Sequence, residues 1–429
     1  MEQAEQKFFD IDPRLEQLGE KAQQECAQAF ARMEEIAEYN SRKVLAAFIH
    51  HGVSESHFAG TTGYGYDDRG RETLEAVMAE ITGSEDALMR HNFVSGTHTL
   101  TTALFGVLRP GDVLLSITGL PYDTIQPVIG INGENCGSLK EFGIEYQQVD
   151  LLPDGTPDLD AIAQAVRGEK VKVAYIQRSR GYSLRPSINM TVMEQLIQTV
   201  RQNNPKAIIM VDNCYGIFTE KVEPTQLGAD LIIGSLIKNA GGGIARTGGY
   251  IAGRRDLIEQ CAYRLTTPGQ GKEVGCTLGE LRNMFLGLFL APNVVCCAVK
   301  TAIFAAALFG GLGYRGNPPY DERRTDIIQS IELGSERGMV AFCKGVQRGA
   351  PVDSFVVPEP WEMPGYESKV IMAAGAFHLG ASIELSADGP IREPYAVWMQ
   401  GGLTYFTGKM GMLLAAQSML EEGVLSLEN

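Results

Sequence analysis

The chain has 429 residues, 44% hydrophobic and 21% charged, enough for two or three domains around a large core. Its formal charge of −15 argues against nucleic acid or an anionic membrane surface as a partner, since both would repel it. A local phosphate site stays compatible with that charge. The eight cysteines show no C-x-x-C pair, and the six histidines no H-x-x-x-H pair. Reduced thiols, a cytoplasmic setting and no metal are therefore expected.

The N-terminus is acidic and polar, with no signal-peptide core. Apolar residues from Leu15 to Ala37 recur at spacings of three and four, predicting a helical arm within 8–47. A Gly/Ser/Thr-rich loop follows. It runs into Thr62-Gly-Tyr-Gly-Tyr-Asp-Asp-Arg-Gly-Arg71, whose tyrosines and arginines suit recognition, and then a helix over 72–82. A strand over 87–92 leads through Ser95, Gly96 and Thr97 into a helix ending near Leu108. Strand, small hydroxyl turn and helix make an anion site of free N–H groups and helix dipole; a plain Ser/Thr N-cap reads the same way.

Further strands are predicted at 113–117, 143–149, 171–177 and 207–212, with helices at 158–166 and 191–203. Tyr122 follows the first of these strands, where open α/β sheets bind ligands. Arg178 and Arg180 lie in a loop after the third, either solvated or facing an acidic ligand. Asp212 ends the fourth, and a carboxylate closing a buried strand needs a partner. A strand at 230–234 then delivers Ser235-Leu-Ile-Lys238-Asn-Ala-Gly-Gly-Gly243, followed by a hairpin strand at 247–253. Burial disfavours an ammonium, and a neutral amine is what Schiff-base chemistry requires. The glycines are expected to leave room for a flat ring. Alternation of strand and helix over 87–253 predicts a mostly parallel, doubly wound α/β sheet.

From Glu273 to Phe309 the chain reads as helical. Its most apolar part, 284–309, is broken by Pro292, Asn293 and Lys300, so a buried or interface helix is expected rather than a membrane span. Gly311-Leu-Gly313-Tyr-Arg-Gly316 matches a dinucleotide G-x-G-x-x-G but follows a helix, so it is set aside. Residues 321–429 predict a smaller α+β domain, with short strands at 354–357 and 383–385. The expected division is an arm and loop at 1–60, a large α/β domain at 61–310 and a small domain at 311–429.

An amine (Lys238), a carboxylate (Asp212), hydroxyl and N–H donors (Ser95, Gly96, Thr97, Ser235) and a stacking ring (Tyr122) are together the parts of a pyridoxal 5'-phosphate (PLP) site. Their order resembles the fold type I PLP enzymes of cysteine and methionine metabolism. The runs TGYGYDDRGRETLE, GLPYDT, VDNCYG and SLIKNAGGGIARTGGYIAG, with a C-terminal MQGGLTYFTGKMGM, resemble the bacterial methionine gamma-lyase family, whose members are often labelled aluminium-resistance proteins. That resemblance implies a seven-stranded PLP-dependent transferase fold and a homodimer or homotetramer with shared active sites. It further implies that Tyr64, Tyr66, Arg69 or Arg71 reach a neighbouring subunit's phosphate. The activity implied is carbon–sulfur lysis of a methionine- or cystathionine-type amino acid to keto acid, ammonia and thiol. Lys238 would be the base and Tyr122 the proton donor to sulfur. Arg392, with Arg178 and Arg180 as rivals, would bind the substrate carboxylate. An aminotransferase, or a PLP-binding stress protein without catalysis, is the alternative.

Overall fold

The computed structural model describes residues 7–363 and 368–427; the first six residues of the predicted arm lie outside that range. The arm is two helices, α1 (Pro13–Glu25) and α2 (Ala27–His50). Asp12 caps α1 by accepting from the Arg14 N–H at 2.9 Å, and Pro13 sits at the first helical position, where its missing N–H costs nothing. Then come α3 (Arg69–Thr82), β1 (Asp86–Arg90), α4 (Gly96–Val107), β2 (Val113–Ser116), α5 (Gln126–Ile129), β3 (Glu145–Gln148) and α6 (Leu159–Ala165). They continue with β4 (Val171–Gln177), α7 (Met190–Asn203), β5 (Ile208–Asp212), β6 (Leu231–Ser235), β7 (Gly249–Gly253) and α8 (Arg255–Leu265). The sequence reading passed over α8.

Seven strands form one sheet in the order β1-β7-β6-β5-β4-β2-β3. β7 runs antiparallel to both its neighbours and the other pairs are parallel. The central strands are apolar on both faces, as helix-covered parallel strands must be. Alternation sorts their residues between two cores. Val173, Tyr175, Ile208, Met210, Leu231 and Ile233 face one core with α4 and α8. Ala174, Ile176, Ile209, Val211 and Ile232 face the other, with α3, α7 and the long helix that follows.

That helix, α9 (Leu281–Gly311), has 31 residues. It starts later than Glu273 because Gly275 and Gly279 take φ of +121° and +80°, which a helix cannot absorb. Pro292 lies inside it without ending it. Asn293 is exposed and Lys300 pairs with Glu34 at 2.8 Å, so both interruptions sit at the helix's polar edge. By length and hydropathy α9 could cross a membrane, but 78% of its most apolar window is buried in the protein. It packs on α1, α2 and the C-terminal helix.

The remainder builds a second sheet from β8 (Arg315–Asn317), β9 (Ile328–Glu332), β10 (Val370–Ala373), β11 (Ser386–Pro390) and β12 (Ala396–Gln400), with α10 (Glu336–Arg348) packed on it and α11 (Tyr405–Glu421) packed on α10. The order is β10-β11-β12-β9-β8, antiparallel throughout. The predicted strands at 354–357 and 383–385 are turn, bend and irregular backbone. Phe355 is 83% exposed, so its apolar run has no sheet to join; Ile383 is buried, but β11 begins only at Ser386. The Gly311–Gly316 motif runs from the end of α9 into β8, with no helix after it.

α10 and α11 cross at Gly345, where an added Cβ would lie 2.4 Å from Ala415 Cα and from Leu414 O. The closest approach is backbone, so it cannot yield by a side-chain rotation. Gly345→Ala should lower stability by about 1–3 kcal/mol through overpacking, read as a lower urea midpoint at unchanged slope.

Candidate active site

The parity of β5 and β6 sets the site. Residues 208 and 210, and 231 and 233, face the α4 core, so Asp212 and Ser235, at the strands' ends, point toward the start of α4. There Ser95 caps α4 by accepting from the His98 N–H at 3.0 Å. The N–H groups of the first turn have no partner within the helix. Gly96 is close to both strand ends. A Cβ there would lie 3.3 Å from Ser235 Cβ and from Cys214 Sγ. Ser235 Oγ is fully buried and, among the described residues, has no hydrogen-bond partner. A buried hydroxyl is costly to leave unmatched, and a phosphate at the α4 N-terminus would match it.

A cavity of about 300 Å³ opens from this corner. Ser95, Gly96, Thr97, Tyr122, Asp212 and Lys238 all line it, which brings six sequence-predicted residues together. Asp212 is 8% exposed and its Oδ1 accepts from the Cys214 N–H at 3.1 Å. Burial pushes its carboxyl above the usual carboxylate range, opposed by hydrogen bonds from Cys214 and Tyr175. Among the described residues no cation pairs with it, so a protonated ring nitrogen has an open partner there. Tyr122 lies where β2 leaves the sheet. Its N–H donates to Gln177 Oε1 at 2.6 Å, and its ring is 6.0 Å from that of Tyr182.

Lys238 is half-buried. Its Nζ donates to Gly380 O at 3.0 Å and to Ser382 Oγ, and lies 5.4 Å from the centre of the Tyr215 ring. The glycines beside it do different work from that expected. A Cβ on Gly241 would fall 1.7 Å from Leu236 O, one on Gly242 2.4 Å from Gly287 O of α9, and one on Gly243 2.3 Å from Leu403. They let the turn close on itself and dock on α9, and none of them lines the cavity.

The arginines are elsewhere. Arg178 is 1% exposed and bonds Asn213 Oδ1 and Glu220 Oε2, both at 2.7 Å. Arg180, 3% exposed, donates to Asn317 O at 2.8 Å and pairs with Asp326. Arg392 is exposed in the turn after β11. None lines the cavity, because carboxylates, an amide oxygen and a carbonyl from distant segments hold the first two. Arg71 is likewise committed, donating to Gly65 O at 2.6 Å and Gly275 O at 2.8 Å. It ties its own loop to 273–275 instead of reaching outward. Tyr64 and Tyr66 are exposed and stacked, ring centres 5.6 Å apart, and Arg69 beside them is exposed; they lie outside the cavity.

Sequence reasoning missed the opposite wall. Tyr182, Ser382, Asp388, Trp398 and Gln400 line it. The alternation of polar or large residues with small or apolar ones in Ser386-Ala-Asp388 and Trp398-Met-Gln400 was the available signal. It also missed His50, His51 and Glu80, whose potential metal-ligating atoms lie within 4.8 Å of one another. Both imidazoles meet the one carboxylate, at 2.7 and 2.9 Å, and adjacent histidines at a helix end escape a search for H-x-x-x-H.

A family model described as methionine gamma-lyase matches residues 15–420. YnbB, an uncharacterized protein of Bacillus subtilis, is 49% identical over 412 residues, 96% of this chain and 98% of its own. A solved structure from Clostridium novyi, named a carbon-sulfur lyase involved in aluminum resistance, has a TM-score of 0.91 at 49% identity, covering 94% of this chain and 96% of that one. Another, from Clostridium acetobutylicum and named provisionally a cystathionine beta-lyase involved in aluminum resistance, has a TM-score of 0.93 at 47% identity over 95% and 96%. PLP-dependent YhfS from Escherichia coli, 18% identical, shares the fold with a TM-score of 0.62 over 91% and 97%. The architecture is that of the type I PLP enzymes, a seven-stranded sheet with a smaller C-terminal sheet, and the implied cofactor is PLP. With the family model spanning nearly all of its length, the chain belongs to the methionine gamma-lyase family.

Proposed function

We propose that the chain is a PLP-dependent lyase that breaks the carbon–sulfur bond of a thioether or thiol amino acid, releasing keto acid, ammonia and thiol. The observation that carries this is the convergence of Lys238, Asp212 and the α4 N-terminus on one cavity, with the unmatched Ser235 hydroxyl buried beside Gly96. The relatives named as carbon-sulfur lyase and cystathionine beta-lyase support the reaction class.

Ser235 Oγ and the N–H groups of Gly96 and Thr97 would hold the phosphate. The Asp212 carboxylate would hold the proton on the ring nitrogen, and Tyr122 would cover the ring face. When bound, PLP supplies an electron sink for loss of the Cα proton and of the sulfur leaving group. Lys238 Nζ, which would hold the cofactor in the absence of substrate, would take the Cα proton as general base. The Tyr122 hydroxyl would return a proton to the departing sulfur. A homodimer, or a pair of dimers, would be the catalytic unit, with Tyr64, Tyr66 and Arg69 offered to a neighbouring subunit.

Three measurements test this. Lys238→Ala should lose both the visible absorbance of bound cofactor and product formation; a retained band in the variant would remove Lys238 from its role. Ser235→Ala should weaken PLP binding by about 10- to 100-fold, the worth of one hydrogen bond to a charged group, in titrations of apo-protein. Incubation with methionine, cystathionine and cysteine should yield a keto acid. 2-Oxobutyrate with methanethiol from methionine would mean γ-elimination, and pyruvate from cystathionine or cysteine β-elimination. A spectral response with no keto acid would count against lysis and make transamination the next reaction to assay.

A further inference from the structure

The cavity wall formed by the small sheet is one face of β11 and β12. Alternation turns Ser386, Asp388, Trp398 and Gln400 toward the cavity, while Ala387, Val397 and Met399 enter the core behind. Asp388 and Trp398 pair directly across the ladder. Gln400 Nε2 donates to Asp388 Oδ2 at 3.1 Å, which fixes the carboxylate. The Trp398 ring lies 5.2 Å from that of Tyr182, and Tyr122 continues the aromatic wall. Asp388 is 8% exposed. Among the described residues no lysine, arginine or histidine forms an ion pair with it, and Lys238 is the one basic side chain that lines the cavity.

A carboxylate held in such a place is poorly compensated. Burial pushes its pKa up to about 6, against the opposing pull of Tyr182, Lys238 and Gln400. In the reading above Lys238 is taken up by the cofactor. A cation arriving from outside would gain a carboxylate oxygen and an aromatic face together. An apolar group arriving there would leave the carboxylate unpaired, and such mismatches give the largest discriminations a site can make.

We propose that Asp388, with the Trp398 and Tyr182 rings, is a subsite for a substrate ammonium group. The α-amine of the substrate goes to the cofactor, so the ammonium is a second one. The favoured substrate is then a thioether amino acid whose leaving side carries an amine. This rests on the carbon–sulfur lyase reading for its reaction and on the small sheet for its specificity.

S-(2-Aminoethyl)cysteine and S-propylcysteine test it, since they match in length and differ by an ammonium in place of a methyl. The holoenzyme is titrated with each, and dissociation constants are read from the shift of the visible cofactor band; keto acid is assayed separately. The wild type should bind the aminoethyl compound at least tenfold more tightly. Asp388→Asn should bring the two within about twofold, chiefly by weakening the aminoethyl compound, with the cofactor band and melting temperature retained. Trp398→Leu should narrow the preference about threefold and serves if the Asn variant does not fold. Equal binding by the wild type, or a preference that survives Asp388→Asn, overturns the subsite. Preference intact without keto acid from either compound supports the subsite and, with none from methionine either, overturns the lyase reading. Keto acid from both at equal affinity overturns the subsite alone.

Discussion

Two adjacent strands with matched parity hold this site together. Because side chains alternate across a pleated strand, Asp212 and Ser235 share a face only when β5 and β6 are paired in the observed register, with Asp212 opposite Ile233. A slip of one residue would send one of them into the opposite core. The apolar residues preceding them resist that slip, since Ile209, Val211 and Ile232 are fully buried on the other face. The core therefore fixes the distance between the Asp212 carboxylate and the Ser235 hydroxyl, the proposed partners of ring nitrogen and phosphate, and α4 supplies its N-terminus at the same edge.

The second sheet solves a different problem. It is antiparallel and covered by helices on one face, so the other face is free to be polar. Ser386, Asp388 and Gln400 stand on that free face. The two walls of the cavity thus come from opposite design rules. One wall is the end of a sheet buried on both sides, where chemistry sits only at strand termini. The other is the flank of a sheet buried on one side, where chemistry can sit along the strand.

This difference explains what the sequence made legible. β5 and β6 are apolar runs that end in Asp212 and Ser235, so both strand and candidate site residue announce themselves. Lys238 stood out because small residues surround it. Asp388 did not, because a carboxylate alternating with small residues looks the same on a solvated edge as in a cavity. Arg178 and Arg180 misled for the converse reason. Their partners Glu220 and Asp326 lie 42 and 146 residues away, and only the fold shows that these charges are already spent. The apolar residues at 354–357 and 383–385 suggested strands from composition, yet pairing depends on a neighbour that composition does not reveal. α8 was legible as well, since Leu257, Ile258, Cys261 and Ala262 recur at helical spacing between a hairpin and a glycine-rich turn.

The docking of Gly242 against Gly287 has a consequence for genetics. The turn that carries Lys238 has α9 as its floor, and backbone meets backbone there. A side chain enlarged anywhere along that stretch of α9 would tilt the floor and move the amine, while the strands that hold the acid and the hydroxyl stay where they are. Screens that score retention of the yellow colour in colonies should therefore recover changes in an apolar helix that touches neither ring nor phosphate. Such changes would be mistaken for folding defects unless the yield of soluble protein is measured beside the colour.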